Sequence, residues 1–252
     1  CLMTNPDISI EHIKDVALKA VKRGIVCYTL FLSPAQAAMV KSIAYKNDCF
    51  YKCFGGYDYA ERTIAAFYDQ YNEPQFMDFP IGCIKIIPAP NNTLPNHRQI
   101  MGTILSQGLK RDVLGDIVVT EDSAYVFCSD NMLDYICSNV QRIGNTSVNF
   151  EIMDILPRLD KKIGQAKRIT VSSPRLDAVL SSALNLSRSK AALLVSQGMV
   201  NLNHIEEKRP DLKINVGDIL SIRGYGRVQI NDIGTPTKKN RLPMELELFI
   251  NK

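Results

Sequence analysis

The order of apolar segments between residues 81 and 154 limits most tightly what this 252-residue chain can fold into. Segments rich in β-branched and aromatic residues between turn residues predict strands, and apolar residues at helical spacing predict helices. The predicted order is strand, helix, strand, strand, helix, strand, at residues 81–87, 97–107, 116–120, 124–128, 131–141 and 147–154. Pro88 and Pro90 close the first strand, and Gly108 stops the first helix.

This βαββαβ order is that of the ferredoxin-like fold, which RNA-recognition-motif (RRM) domains share, and it predicts an RRM-like middle domain over residues 77–157. The RNA-binding version places aromatic residues on its two central strands for base stacking. Here those strands read IGCIKII and AYVFCS and lack the glycine-aromatic signature. Tyr125 and Phe127 alternate so as to share one face, but an inward core face explains them equally well. We interpret this domain as a scaffold first and as an RNA platform second.

The residues before it predict a small N-terminal α/β domain over 1–76. Helices are expected from Ile10 to Gly24 and from Ser33 to Ala44, each with capping signals, and a strand is expected at 49–54. A third helix is expected at 58–68. The glycine pair Gly55-Gly56 is expected to serve backbone conformation in the turn after the strand.

Charge is distributed unevenly along the chain. Residues 1–157 carry 13 basic and 17 acidic residues, whereas residues 158–252 carry 17 basic and 9 acidic residues. Such asymmetry predicts a C-terminal module that binds a polyanion, with nucleic acid and an anionic membrane as the candidates. A solubilising patch would show the same excess. The absence of an amphipathic basic helix with an aromatic face disfavours the membrane.

The basic half divides by pattern into a polar linker (158–167), a folded module (168–234) and a basic tail (235–252). In the module, one helix starts at 172–174 and a second follows Ser187, with strands at 199–203, 219–223 and 227–233. Arg188 and Lys190 fall in the first turn of the second helix. Basic side chains beside the free N–H groups of a helix start make a local phosphate site.

Four segments of this module resemble the S-four RNA-binding domain, also called the αL motif: RLDAVL (175–180), SRSKA (187–191), QGMVNLN (197–203) and KINVGDILSIRG (213–224). The resemblance implies binding of structured RNA, with the two helices against the sugar-phosphate backbone. Carried over by position, the implied contacts are Arg175, Ser187, Arg188, Lys190 and Asn203. By charge alone, the supporting phosphate contacts are Lys208, Arg209, Lys213, Arg223 and Arg227. His204 stands where that motif commonly carries glycine.

The upstream residues are similar to the YlmH-type proteins, through FGGY (54–57), AER (60–62), His97-Arg98 and GLKRDVLGDI (108–117). This resemblance implies a small N-terminal domain, a ferredoxin-like domain and a C-terminal S-four domain. It also implies a link to ribosomes and to large-subunit complexes that hold stalled peptidyl-tRNA. Gln99 departs from the acidic residue expected after His-Arg. Lys110 and Arg111 are a second candidate RNA contact, or they complement the dipole of the helix before them.

The strongest rival class is an RNA-modifying enzyme, such as a pseudouridine synthase that binds its substrate through an S-four domain. The Arg-Leu-Asp triplet that carries a catalytic Asp in those enzymes occurs here at 175–177, inside the S-four helix, and at 158–160, in the linker. The three His are scattered, the seven Cys form no CxxC pair, and no glycine-rich cofactor loop occurs. We therefore predict a non-enzymatic protein with no catalytic residue, no metal and no cofactor.

The expected partners follow from these assignments. They are structured RNA, meaning ribosomal RNA, tRNA or both, and the large ribosomal subunit, with no membrane partner. The protein is expected to be a monomer. Its expected location is the cytoplasm, or a plastid or mitochondrion if a targeting peptide preceded Cys1.

Overall fold

A computed structural model describes residues 9–160, 164–237 and 240–250. The chain divides after Asp160 into two compact units, which we call the N-terminal unit and the C-terminal unit. Parts of three predicted domain segments lie outside the described residues. These parts are 1–8, residues 161–163 of the predicted linker, and residues 238–239 and 251–252 of the predicted tail.

The N-terminal unit begins with two helices and three strands. They are α1 (Ile10–Arg23), β1 (Cys27–Leu32), α2 (Pro34–Lys46), β2 (Phe50–Phe54) and β3 (Thr63–Tyr68). The strands pair antiparallel in the order β1-β3-β2. The first helix begins and ends as its sequence predicts: the Ser9 side chain caps its start and Gly24 closes it in the left-handed conformation. Both helices pack on one face of this sheet, in a core that includes Ile13, Val40 and Phe67.

The helix predicted at 58–68 is wrong, because residues 63–68 form β3, the central strand of this sheet. All five residues from Ile64 to Tyr68 are buried. A strand that is covered on both faces reads as a continuous apolar run, and periodicity cannot separate it from a buried helix. The sequence also predicted one strand in this region, and it missed β1.

The loop from β2 to β3 contains the glycine pair, and the predicted backbone role is confirmed for Gly56. Gly56 has φ of +99°, a conformation that side-chain-bearing residues rarely adopt. At Gly55 the requirement is space, because a Cβ atom would lie 2.3 Å from the carbonyl oxygen of Arg62.

The middle part of the N-terminal unit has the predicted βαββαβ order. Its elements are β4 (Ile81–Pro88), α3 (His97–Ser106), β5 (Leu114–Val119), β6 (Ala124–Ser129), α4 (Leu133–Asn139), β7 (Arg142–Ile143) and β8 (Thr146–Ile152). The antiparallel sheet has the order β5-β6-β4-β8-β7. Without the two-residue β7, this is the strand order of a ferredoxin-like sheet. The two helices cover one face, where Ile100, Ile104 and Ile136 are buried.

The opposite face of the middle sheet packs against the first sheet. Phe31 and Ile64 from the first sheet share a core with Cys83 and Phe127 from the middle sheet, and all four are fully buried. Residues 1–76 and 77–157, which the sequence assigns to separate domains, therefore share a hydrophobic core across two stacked sheets.

The C-terminal unit is an antiparallel sheet with a helical hairpin. Its elements are β9 (Gln165–Val171), α5 (Leu176–Leu184), α6 (Arg188–Ser196), β10 (Val200–Leu202), β11 (Ile205–Glu206), β12 (Ile219–Ile222), β13 (Gly226–Ile233) and β14 (Leu242–Ile250). The described strands pair antiparallel in the order β11-β10-β12-β13-β14-β9. Helix residues such as Leu180 and Val195 share one core with sheet residues such as Val228 and Leu246.

Two predicted boundaries of this unit are wrong. Residues 242–250 of the predicted tail form β14, which lies between β13 and β9 inside the sheet. In it, the buried residues Met244, Leu246 and Leu248 alternate with acidic residues that face outward, as a half-buried strand requires. The predicted linker ends early, because its last three residues already belong to β9.

Candidate nucleic-acid interface

Basic side chains of the C-terminal unit gather where its two helices start. Arg175 is at the N-cap position of α5 without a side-chain capping bond, so the predicted helix start at 172–174 is wrong and α5 begins at Leu176. Arg188 is the first residue of α6. Ser187 caps α6, since its hydroxyl oxygen accepts a hydrogen bond of 3.2 Å from the Lys190 backbone N–H. The Ser187 side chain is thus used to start the helix, as the sequence predicts, and it holds Arg188 and Lys190 in the first turn.

One buried carboxylate joins the two arginines. Arg175 donates from Nε and Nη2 to the two oxygens of Asp177, each over 3.1 Å. Arg188 donates from Nε over 3.2 Å and from Nη2 over 3.4 Å to the same two oxygens. We call Arg175 and Arg188 the guanidinium pair, and we call Asp177 its anchor.

The anchor is buried while the guanidinium groups reach solvent. Asp177 is 4 % exposed, whereas the side chains of Arg175 and Arg188 are 39 % and 53 % exposed. Burial raises the pKa of Asp177, but the hydrogen bonds from the two guanidinium groups lower it further, so the net pKa lies below its ordinary value. The same hydrogen bond raises the pKa of Arg175. Guanidinium groups stay protonated in proteins, and the lowered pKa keeps Asp177 ionised at neutral pH, so the cluster carries a net charge of one positive unit.

A third cation lies beside the start of α5. The backbone N–H groups of Leu176 and Asp177 donate to the carbonyl oxygens of Leu212 and Pro210, each over 2.9 Å. Arg175 forms a β-bridge with Lys213, which is exposed. The structure therefore brings Lys213, which the sequence proposes on charge alone, next to Arg175.

The two basic residues earlier in this segment carry carboxylate partners. Lys208 pairs with Glu206 over 2.9 Å, and Arg209 pairs with Glu207 over 3.2 Å. The hydrogen bonds from Arg209 lower the pKa of Glu207. Because the Lys208 and Arg209 side chains are themselves exposed, both cations can still meet a phosphate, but each does so beside a negative charge.

Asn203 has a position that serves the turn between β10 and β11. Its side-chain oxygen accepts from the Ile219 N–H over 2.9 Å, and its side-chain nitrogen donates to Asp218 over 2.8 Å. Asn203 and His204 have φ of +48° and +69°. Asn and His are among the residues that tolerate the left-handed conformation, so His204 keeps the turn that glycine makes in the motif.

The last two basic candidates lie at the β12–β13 hairpin. Arg223 is exposed directly after β12, and Arg227 lies in β13 with its guanidinium carbon 5.9 Å from the centre of the Phe249 ring. Lys167 is a further basic residue, which the sequence analysis does not single out. Its ammonium group donates to the carbonyl oxygen of Ala183 and to the Asn185 side chain, over 2.8 and 2.9 Å, and so connects β9 with the end of α5. It lies in the segment that was predicted to be a linker, where no periodicity pointed to a role.

In the N-terminal unit, the candidate pair Lys110 and Arg111 has two different environments. Lys110 is exposed. The Arg111 guanidinium instead donates from Nη1 to the carbonyl oxygens of Leu114 and Gly115, over 2.7 and 3.1 Å. Arg111 therefore holds the chain where β5 begins.

Arg62 and Asp116 tie together three of the upstream segments that carry the resemblance. Arg62, which is 8 % exposed, donates to the carbonyl oxygens of Phe31, Leu114 and Arg111 over 3.0 to 3.3 Å. Asp116 accepts from the Tyr57 hydroxyl over 2.9 Å and from the N–H groups of Glu61 and Arg62 over 2.7 and 3.2 Å. The FGGY, AER and GLKRDVLGDI segments thus meet in one junction that joins the two sheets.

The face of the middle sheet that binds RNA in RRM domains is largely covered. Phe127 is fully buried and stacks on Tyr57, with ring centres 5.0 Å apart. Tyr125 and Lys85 line an open cavity of about 520 Å³ at one end of this sheet, beside Glu121 and Asp122. The carboxylates at this open end would repel a phosphate backbone. Together with the covered face, this fits the scaffold interpretation.

Within residues 9–160, 164–237 and 240–250, no group of three or more His, Cys, Asp or Glu side chains is placed to hold a metal ion. No helix in the part of the chain that the structure describes is both long enough and apolar enough to span a membrane.

The fold and the interface define an α+β protein with a ferredoxin-like domain and a separate C-terminal unit that carries a cationic helical hairpin. Comparison with known proteins gives the family. Residues 74–156 match the family described as the putative RNA-binding domain in YlmH. The ribosome-associated protein quality control protein P2 of Bacillus subtilis (strain 168) is 32 % identical over 223 residues, which cover 87 % of this chain and 86 % of that protein. The chain belongs to the YlmH family.

A solved structure supports the fold. The structure of the cell division protein ylmH from Streptococcus pneumoniae superposes with a TM-score of 0.50 at 21 % identity, covering 61 % of this chain and 96 % of that one. At this level of identity the similarity concerns the fold.

Proposed function

We propose that this chain is a non-enzymatic RNA-binding protein that associates with the ribosome. It binds structured ribosomal RNA of the large subunit, and a tRNA held there, through an S-four-type C-terminal unit. The observation that carries the proposal is the guanidinium pair at the starts of α5 and α6. The name of the B. subtilis relative, which is ribosome-associated, supports ribosome association, and the family described as a putative RNA-binding domain, which matches the middle domain at residues 74–156, supports RNA binding by the chain as a whole.

The geometry of the guanidinium pair suits phosphate. A guanidinium presents five N–H donors in a planar fork that matches two phosphate oxygens. Arg175 and Arg188 each use two donors on Asp177, so three remain on each side chain. Two such forks held at fixed positions recognise phosphates at a set spacing. That is recognition of a folded backbone shape and not of a base sequence. Lys190 and Lys213, which are exposed nearby, add positive charge.

The rival function, an RNA-modifying enzyme related to the pseudouridine synthases, needs an Asp that can attack a base. Asp177 occupies the matching Arg-Leu-Asp triplet, yet both of its oxygens accept hydrogen bonds from two guanidinium groups and the residue is 4 % exposed. A carboxylate held in this way is a weak nucleophile and has no space for a base against it. We therefore propose that Asp177 supports binding and performs no chemistry.

The test is co-sedimentation of the full-length chain with separated ribosomal subunits, followed by nucleoside mass analysis of the RNA. We expect the wild-type chain to sediment with large subunits and the double variant Arg175→Ala, Arg188→Ala to remain in the supernatant. Arg168→Ala is the matched control, since Arg168 is an exposed arginine of β9 that pairs with Glu245, and it should sediment like the wild type. Sedimentation of the double variant at wild-type levels would overturn the proposed interface. A modified nucleoside that depends on the protein would overturn the non-enzymatic assignment.

A further inference from the structure

We infer that Asp177 is a positioning residue for RNA binding: its negative charge strengthens binding to a negatively charged ligand, because it holds the forks of Arg175 and Arg188 in place. This inference rests on the proposed function. It adds a residue that simple charge counting would remove from the site, since an acidic group near a phosphate normally weakens binding.

The hydrogen-bond pattern supports this role. Each oxygen of Asp177 accepts one bond from Arg175 and one from Arg188, over 3.1 to 3.4 Å. A carboxylate offers about four acceptor sites, so these four bonds saturate it. Asp177 then has no remaining lone pair directed at a ligand, and its charge is screened by two cations.

Backbone contacts fix the anchor itself. Asp177 is in the first turn of α5, and its N–H donates to the Pro210 carbonyl oxygen over 2.9 Å. Because the carboxylate is buried and the backbone N–H of the same residue is bonded to Pro210, Asp177 is a rigid reference point for two long side chains. Asp177 connects Arg175, two positions before it at the start of one helix, with Arg188, eleven positions after it at the start of the next.

The gain in RNA affinity that we expect from anchoring the two arginine side chains is entropic. Immobilising one long side chain on binding lowers affinity by a factor of about 2 to 12, and a chain that is already ordered avoids that loss. Two anchored arginines therefore contribute a factor of about five or more. Removal of the carboxylate makes the local charge more positive, which by itself would raise the affinity. Positioning and plain electrostatics thus predict changes of opposite sign.

The experiment compares RNA affinity of full-length variants, using large-subunit ribosomal RNA as the probe over a series of salt concentrations. Asp177→Asn should weaken binding about fivefold or more. The matched control is Asp211→Asn, since Asp211 is exposed and acts on Arg175 only through its charge. That control should bind as tightly as the wild type, or more tightly. Circular dichroism confirms that each variant is folded at the assay temperature.

A second measurement uses the wild-type chain, so its result does not depend on whether a variant folds. In the NMR spectrum of the free wild-type chain, the Nε–H groups of Arg175 and Arg188 should exchange slowly with water, because both donate to Asp177. Rapid exchange at both groups would overturn the inference, and so would Asp177→Asn binding as tightly as Asp211→Asn. If the double variant Arg175→Ala, Arg188→Ala binds like the wild type, both the proposed interface and this inference are wrong. If the double variant loses binding but Asp177→Asn does not, only this inference fails.

Discussion

The ring of Phe127 on β6 lies against the ring of Tyr57 in the β2–β3 loop, with centres 5.0 Å apart and planes inclined by 23°. In RRM domains an aromatic residue on this central strand faces RNA. Here a side chain from the same unit occupies that position, and Asp116 holds the Tyr57 hydroxyl in place over 2.9 Å. The middle sheet is thus used to bind the N-terminal sheet.

Truncation of Phe127 should therefore reduce stability. Phe127→Ala removes a fully buried ring and should lower the free energy of unfolding of the N-terminal unit by about 3–5 kcal/mol. Urea unfolding followed by circular dichroism measures it. Tyr125→Ala, at the half-buried neighbour on the same strand, should cost less. A Phe127→Ala chain of unchanged stability that binds RNA more weakly would show that this face is a platform after all.

Two glycines should respond oppositely to alanine. At Gly56, φ is +99° and a Cβ atom would lie 2.4 Å from the Phe127 ring, so Gly56→Ala should destabilise the protein by about 2–4 kcal/mol. Gly102 lies within α3 with nothing within 4 Å of its Cβ position, so Gly102→Ala should stabilise it by about 0.5–1 kcal/mol. Thermal unfolding of the two variants side by side checks the sign. Equal effects would contradict the assignment of Gly56 to a backbone role.

The last strand should be necessary to the C-terminal unit. Leu246 is 1 % exposed in β14, and Leu246→Ala should cost about 2–5 kcal/mol of unfolding free energy. Glu245→Gln, at the outward-facing neighbour, should change it by less than about 0.5 kcal/mol. A chain in which both substitutions are silent would indicate that residues 242–250 are a tail.

Buried thiols should make the N-terminal unit sensitive to alkali. Burial raises the pKa of Cys83 and of Cys128 from 9.0 to about 12. The unfolded chain then loses these protons above about pH 9 while the folded chain keeps them. Stability is therefore fully present below pH 9 and falls as the pH rises from about 9 toward 12.

Urea unfolding at pH 8 and pH 10.5 measures this dependence. Each of the two thiols should contribute a loss of about 1–2 kcal/mol at the higher pH. Cys83→Ala should show a smaller loss between the two pH values than the wild type does. An identical loss in the variant would mean that Cys83 is not protected in the folded protein.

Local signals explain which elements the sequence could predict. The middle domain was predicted in its full order because its strands and helices each have their own periodicity and stop residues, such as Gly108. β3 was not, because Ile64 to Tyr68 are buried on both faces and only tertiary packing decides between strand and helix. In β14, apolar and acidic residues alternate around Leu246, which is the pattern of a half-buried strand. The basic residues before it led to the prediction of a tail.

The candidate interface shows the same division. Arg175 and Arg188 could be proposed from short motifs, because RLDAVL and SRSKA resemble segments of the S-four domain and Ser187 also predicts the helix start beside Arg188. The role of Asp177 could not, because it depends on contact with a side chain eleven positions away. Arg111 was proposed as an RNA contact, and its bonds to Leu114 and Gly115 involve carbonyl groups that sequence patterns do not display.

Site-specific photocrosslinking tests most directly the central claim that RNA meets the starts of α5 and α6. A benzophenone amino acid replaces either Ser189, which is exposed beside Arg188, or Tyr125, at the open end of the middle sheet. Each full-length variant is irradiated with ribosomes, and the attached RNA is sequenced. We predict one dominant ribosomal RNA site from position 189, lost on Arg175→Ala, Arg188→Ala, and background from position 125. A dominant site from position 125 with background from position 189 would contradict the account.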